Sequence, residues 1–304
     1  MAPARRVRLA TRGSPLARWQ ADRVASLLAP VAGVVGIDTI VVETSGDRRL
    51  DVPVSALGGQ GAFVKEVQSA VLDGRADIAV HSAKDLPSST PPGLVLACVP
   101  ERADPRDALV GCALDAIAPG AAVASGSVRR RAQLAWMRPD LTFVELRGNM
   151  ATRLARAKAV GAGVLAMAAL ERLGLAAEVA EVLDADTMVP QVAQGALAIE
   201  CRADDAWMLA ALDAIDDVAA HRAVDGERSF LATLGGGCTL PLGALGRSTA
   251  DGGLVLSGML ASRDGHVLLR DSVSGDDPVA VGRALAERLL DAGGRSLDDF
   301  AGVP

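Results

Sequence analysis

Three segments of the chain gather side chains able to do chemistry. HSAKDLP (81–87) places His81, Ser82, Lys84 and Asp85 directly beyond the strand-like run ADIAV. In parallel α/β sheets ligands bind beyond the carboxyl ends of the strands, and Lys84 beside Asp85 offers a cation and a carboxylate together. A solvated turn is the plainer reading of the same residues. His81 by itself is more often a hydrogen-bonding structural residue than a catalyst, and no second His or acidic ligand is spaced around it to hold a metal.

The second feature is a concentration of positive charge. Between Ala121 and Val160 there are eight basic residues (Arg129, Arg130, Arg131, Arg138, Arg147, Arg153, Arg156, Lys158) against two acidic ones (Asp140, Glu145), in a chain whose net charge is -6. SVRRRAQL (127–134) puts three guanidiniums at a helix start, where they oppose the helix dipole unless an anion sits among them. LRGNMATR (146–153) repeats the arrangement, with Arg147 and Arg153 flanking a Gly148-Asn149 turn. A solvated charged face is the alternative for each cluster. An exposed Arg–carboxylate pair contributes about 0.2–1 kcal/mol, whereas truncating one member of a buried, hydrogen-bonded pair costs roughly 2–5 kcal/mol. Several arginines therefore suit a ligand with several carboxylates in a partly closed cleft.

Third, Cys238 follows three glycines in LGGGCTLPLG (234–243). Glycines let a backbone loop approach a ligand and present a thiol, while a small buried hydrophobe is the other reading. Cys98, Cys112 and Cys201 are expected to be such hydrophobes. No cysteine-protease signature surrounds Cys238. LGGQG (57–61) is not a G-x-G-x-x-G fingerprint and no GxxxxGK[ST] occurs, which leaves nucleotide binding with little support.

These segments need elements to position them. The 304 residues are 50% apolar, which excludes disorder and allows two or three domains. Only 2% are aromatic, so the cores must be aliphatic and base-stacking platforms are disfavoured. Widely spaced cysteines argue against zinc or a disulfide framework. Without an apolar signal segment or a run long enough to span a bilayer, a soluble cytoplasmic protein is expected. VRLA, GIDTIVVE (36–43) and ADIAVHS (76–82) read as strands. Between them, helices are predicted from Ser14-Pro15, with Leu16, Trp19, Val24, Leu27 and Leu28 as its apolar stripe, and over 62–74. This alternation is an α/β pattern with a largely parallel sheet. PERADPRDALV near residue 100 suggests a crossing between domains, and a second α/β set follows to about Pro190. QGALAIECR (194–202) is again strand-like, and residues 207–234 are strongly helical. A hairpin around Arg263-Asp264-Gly265 and a helix from Pro278 complete an α+β third unit. The approximate duplication of an α/β unit suits a two-lobed clamp with its ligand between lobes.

Taken in order, ATRGSPLA (10–17), SGD (45–47), GAFVKE (61–66), ADIAVHSAKDLP (76–87), ERADPRDAL (101–109), GSVRRRAQL (126–134), RPDL (138–141), LRGN (146–149), TRL (152–154), QGALAIECR (194–202), ERSF (227–230) and GGGCTLPLG (235–243) closely resemble the hydroxymethylbilane synthase (porphobilinogen deaminase) family from about Arg8 to the final helix. The resemblance implies a cytoplasmic monomeric transferase of tetrapyrrole, hence porphyrin and heme, biosynthesis. Such an enzyme joins four porphobilinogen molecules with loss of ammonia, through an azafulvene-like cation, and hydrolyses off the linear hydroxymethylbilane. A dipyrromethane cofactor tethered by a thioether falls on Cys238, and the catalytic aspartate that hydrogen-bonds pyrrole N–H groups falls on Asp85. Arg129, Arg130, Lys84 and Ser127 are implied to hold the cofactor with them. Arg12, Ser14, Arg147, Arg153 and Arg172 are implied to bind the substrate and the growing linear polypyrrole. No metal, nucleic acid or membrane is implied, and the product passes transiently to the next enzyme.

The implied fold is α/β in three domains. Residues 1–99 with 194–217, and 100–193, form two lobes resembling type II periplasmic binding proteins, and 218–304 form a smaller α+β domain carrying the cofactor. The match departs at Gln60, where Lys is common, at Gly126, where a hydroxyl residue is common, and at Pro190-Gln191-Val192-Ala193. A non-enzymatic anion-binding clamp predicts the same arginines but gives no reason for Cys238 on its glycines. Nucleic-acid binding fails on the net charge and the scarcity of aromatics.

Overall fold

The computed structural model describes residues 4–44, 64–237 and 239–303, which form two compact units. The first comprises residues up to Arg102 together with Ala196–His221, and the second Ala103–Gly195 with Arg222 onward.

In the first unit β1 (Arg5–Arg12) leads to α1 (Pro15–Leu28), whose start is set by Ser14: its side chain accepts from the Ala17 N–H at 3.2 Å, with Pro15 at the first helical position. β2 (Val34–Val42), α2 (Lys65–Leu72), β3 (Ile78–Ser82) and β4 (Leu94–Cys98) follow. After the second unit's inserted segment the chain returns as β10 (Leu197–Arg202) and α6 (Ala206–Asp213). Strand order is β2-β1-β3-β10-β4. The core is aliphatic, as the composition requires, and includes Val7, Leu9, Val24, Leu28, Ile78 and Ile199. The buried face of α1 is Ala17, Gln20, Ala21, Val24 and Leu28, while Trp19 is exposed. Small alanines let the helix lie close to the sheet, and the expected Trp19 contribution to the stripe is thereby displaced.

The second unit repeats this plan. β5 (Asp107–Val110), β6 (Ala122–Ala124), α3 (Val128–Met137), β7 (Thr142–Val144), α4 (Met150–Val160), β8 (Gly163–Ala166), α5 (Met167–Arg172) and β9 (Val179–Val182) give the order β7-β6-β8-β5-β9. In each sheet three strands are parallel, and a fourth enters antiparallel: β10 beside β3, and β5 beside β8. Each outer strand, β4 or β9, is also antiparallel to that entering strand. Four of the five strands in each sheet therefore run the same way, as the expected largely parallel sheet requires, and the single opposed strand, β10 or β5, begins where the chain has just passed from one unit to the other.

The long helical stretch predicted over 207–234 is two helices, α6 and α7 (Val218–Thr233). They part at Asp216-Asp217: Asp216 Oδ1 accepts from the Val99 N–H at 2.7 Å, and Asp217 caps α7 by accepting from the Ala220 N–H at 2.9 Å. β11 (Leu242–Ser248), β12 (Leu254–Ala261) and β13 (Leu268–Gly275) form an antiparallel sheet covered by α8 (Pro278–Asp291). The hairpin falls where expected, with Ala261 opposite Leu268. Ala132 of α3 packs with Met259 and Ala261 of β12, so this C-terminal sheet belongs to the second compact unit.

Candidate active site

In the first unit β1 and β3 are parallel neighbours, so their carboxyl ends lie at one edge of the sheet. That edge carries Arg12, Ser14 and the segment after β3, where Ala83–Asp85 form a short 3₁₀ turn. The turn is held from three sides. The Ala83 N–H donates to the Ala196 carbonyl at 3.1 Å, the Leu86 N–H to the Ala83 carbonyl at 3.2 Å, and Gln20 Nε2 to Ser82 Oγ at 2.7 Å. Asp85 is exposed on this fixed turn while Lys84 and Arg12 are half-buried. His81 points into the protein, with Nε2 3.2 Å from Glu200 Oε2, and Glu200 also accepts from Gln68 Nε2 at 2.9 and 3.1 Å. It is a buried structural residue.

In the second unit the corresponding edge carries the starts of α3 and α4. Ser127 caps α3 by accepting from the Arg130 N–H at 3.4 Å, and Asn149 caps α4 by accepting from the Thr152 N–H at 3.0 Å. The two loops are in contact: a Cβ on Gly126 would lie 2.6 Å from the Leu146 carbonyl oxygen, which is why glycine can stand at this position. Arg147 and Arg153 are anchored lightly here, Arg147 Nε to Glu145 at 3.3 Å and Arg153 Nε to the Gly148 carbonyl at 2.8 Å. Arg147 keeps 44% of its side chain exposed. Glu145 also binds Arg131 at 2.7 Å and so spaces two guanidiniums along the edge.

Arg129 and Arg130 turn inward. Both are buried and share the Asp107 carboxylate, Arg129 through Nη1 at 2.8 Å and Arg130 through Nε at 3.0 Å and Nη2 at 2.8 Å. Burial alone would raise the Asp107 carboxyl, but the two guanidiniums hold it well below the usual carboxylate range. Arg129 Nε and Nη2 are buried and carry no hydrogen bond among the described residues. Arg172 ends α5 and is also buried, donating to the Gly195 carbonyl at 2.6 Å, and burial pushes its guanidinium down to about 10.

Sequence reasoning missed Asp107, Gln194 and Glu145 as partners of the arginines. Asp107 Oδ1 also accepts from Gln194 Nε2 at 2.8 Å, so residues far apart in sequence meet on one oxygen. The only local signal was an acidic residue opening an apolar run, DALV (107–110). Cys238 and Gln60 lie outside the described residues. The glycines before Cys238 are described, and Gly235, Gly236 and Gly237 all have positive φ (83°, 67° and 137°), a conformation costly for any other residue.

Each unit carries cations at the carboxyl edge of its α/β sheet, and the second adds two side-chain-capped helix starts, which defines the class as proteins with an α/β site suited to an anionic ligand. Residues 7–210 match the family model "Porphobilinogen deaminase, dipyromethane cofactor binding domain", and residues 221–291 match "Porphobilinogen deaminase, C-terminal domain". The chain belongs to the porphobilinogen deaminase family and is a transferase-type enzyme of tetrapyrrole synthesis. It is 46% identical to the porphobilinogen deaminase of Roseiflexus sp. (strain RS-1), over 95% of this chain and 97% of that protein. It is 44% identical to that of Pelobacter propionicus, over 97% of each. Among solved structures, a TRAP periplasmic solute binding protein from Desulfovibrio salexigens aligns at 13% identity with a TM-score of 0.41, covering 73% of this chain and 74% of that one. A likeness at that level adds nothing to the strand order already described. Among the described residues no helix is long and apolar enough to cross a membrane.

The residues present fit a dipyrromethane. Two pyrroles bearing acetate and propionate groups require several carboxylate-binding donors, and the second unit offers a buried guanidinium with two unpartnered donors beside two capped helix starts.

Proposed function

We propose that this chain condenses four porphobilinogen molecules, releasing ammonia at each step, onto a dipyrromethane joined through a thioether to Cys238, and then hydrolyses off linear hydroxymethylbilane. The observation that carries the reading is the pair Arg129 and Arg130 set against a single buried carboxylate, Asp107, in a chain of this family. Bound, the dipyrromethane supplies the terminal pyrrole that accepts incoming units. Arg129, Arg130, Ser127 and Lys84 hold it, with Cys238 as the permanent anchor. The anchor has to survive every round of extension, which a ligand held only by ion pairs would not.

Asp85 is the catalytic residue of this reading. Its carboxylate accepts hydrogen bonds from pyrrole N–H groups, stabilises positive charge as ammonia leaves, and directs protons as the ring regains aromaticity. The turn that fixes Asp85 through Ser82 and Ala83 limits its freedom, so the geometry is set before substrate arrives. Arg12, Ser14, Arg147 and Arg153 grip the acetate and propionate groups of the substrate and of the growing chain. The exposure of Arg147 and its weak tie to Glu145 leave its fork available for this task. Arg172 supports turnover, and its bond to the Gly195 carbonyl gives it a part in holding the chain where it leaves the second unit. We read the chain as three domains, 1–99 with 194–217, 100–193 and 218–304, in a monomer of the cytoplasm.

The test is incubation of the purified protein with porphobilinogen. Release of ammonia with formation of linear bilane, by protein that gives the pink-to-purple Ehrlich reaction before substrate is added, is the expected result. A protein that binds porphobilinogen reversibly, without ammonia release and without Ehrlich colour of its own, is instead an anion-binding clamp, and the reading falls.

A further inference from the structure

Asp107 opens β5, and because β5 runs antiparallel to β8 it enters the sheet at the carboxyl edge, with Asp107 opposite Ala166. Its side chain has no exposed surface. Oδ2 accepts from Arg129 Nη1, and Oδ1 accepts from Arg130 Nε and Nη2 and from Gln194 Nε2. The side chains of Arg129 and Arg130 are only 3% and 10% exposed. One carboxylate thus faces two buried cations, and one positive charge is left over.

The remaining donors show where that charge is directed. Arg129 Nη1 also donates to the Val189 carbonyl at 2.6 Å, and Arg130 Nη1 to the Val164 carbonyl at 3.0 Å. Arg129 Nε and Nη2 have no partner among the described residues. Nε and Nη2 form one edge of the guanidinium, the edge that matches the two oxygens of a carboxylate. A buried cation with that edge unpaired is costly unless an anion reaches it.

We propose that Asp107 is a positioning residue for the dipyrromethane: it fixes Arg129 and Arg130 at the sheet edge and, by neutralising only one of them, keeps the Nε–Nη2 edge of Arg129 for a carboxylate of the pyrrole chain. The inference rests on the reading that these arginines hold the dipyrromethane. A purely structural Asp107 would affect stability without affecting loading of the folded protein.

The experiment measures loading of the purified full-length chain by intact mass, with Ehrlich colour as a second readout and far-UV circular dichroism and thermal midpoint to report folding. The parent must first carry the added mass on the peptide containing Cys238. If it does not, the functional reading fails, independently of Asp107. With the parent loaded, Asp107→Asn is expected to reduce the loaded fraction of folded protein by about tenfold or more, the scale on which partners of ligand-binding groups act. Asp107→Glu preserves the buried charge balance, and hence folding, but displaces both guanidiniums, so it is expected to fold with a clearly reduced loaded fraction above that of Asp107→Asn. Should Asp107→Asn fail to fold, Asp107→Glu decides alone. Folded Asp107→Asn or Asp107→Glu protein that carries the adduct at the parental fraction overturns the proposal.

Discussion

Glu227 holds Ala193 in a left-handed backbone conformation. Its Oε2 accepts from the Ala193 N–H at 2.5 Å, and Ala193, at φ 58°, is the one non-glycine residue with positive φ among the described residues. Oε1 accepts from the Gly246 N–H at 2.8 Å, so one buried carboxylate ties the segment before Gln194 to β11. Glu227→Leu leaves two backbone donors unsatisfied and is expected to cost about 3 kcal/mol or more. Ala193→Gly removes the strain and is expected to keep stability within about 1 kcal/mol of the parent. Urea unfolding monitored by circular dichroism measures both. Equal stability of Glu227→Leu and the parent would show that the carboxylate contributes nothing.

At Asp85 the two informative replacements are Asn and Ala. Both are expected to abolish most turnover while the thermal midpoint stays near that of the parent, because the side chain is exposed and its turn is held by backbone and Ser82 contacts. Asn keeps the shape and loses the charge, so their difference separates orientation from electrostatics. Bilane formation by Asp85→Ala within about threefold of the parent, under roughly 1 kcal/mol in the transition state, contradicts the catalytic role.

Arg147→Leu and Arg153→Leu are expected to stall elongation, with partly extended species accumulating in quenched reactions examined by native mass spectrometry. Lysine should rescue incompletely because it lacks the planar fork. An unchanged distribution of species in both Leu variants would leave these residues as surface charge.

Cys238→Ser is expected to have its sequence mass and no Ehrlich colour, while changes at Cys98, Cys112 or Cys201 keep the adduct. Burial pushes the Cys98 thiol up and the Cys201 thiol up to about 11, so neither supplies a thiolate near neutral pH. Peptide mapping decides the position, and an active preparation with unmodified Cys238 refutes the covalent anchor.

Asp77 predicts an acid-sensitive contribution to stability. Burial would raise its carboxyl, but hydrogen bonds from the Arg8 side chain and backbone and from the Arg5 guanidinium overcome this and bring it down to about 2. A carboxylate depressed on folding stabilises the protein fully above its unfolded pKa near 4, and that stability is lost as pH falls toward 2. Asp77→Asn is expected to lose about 2 kcal/mol at neutral pH and to show a flatter acid limb. Stability–pH curves of equal slope for parent and variant would rule the linkage out.

What was legible in the sequence was whatever depended on neighbours along the chain. Ser14 before Pro15, Ser127 before α3 and Asn149 before α4 cap their helices because a cap bonds to a backbone N–H only three residues on. The turn at Gly265 and the α/β alternation were readable for the same local reason, and the family resemblance rested on ordered strings of this kind. Tertiary structure alone decided the rest. It broke the helical stretch at Asp216 because Val99, more than a hundred residues earlier, needed an acceptor. It turned β5 and β10 antiparallel, and so brought Asp107 to the edge where Arg129 and Arg130 begin α3. In sequence those arginines are an unopposed run of charge. In the folded protein one carboxylate, 22 and 23 residues away, neutralises one of them and leaves the other's unpaired edge, because electrostatic balance depends on distance in space.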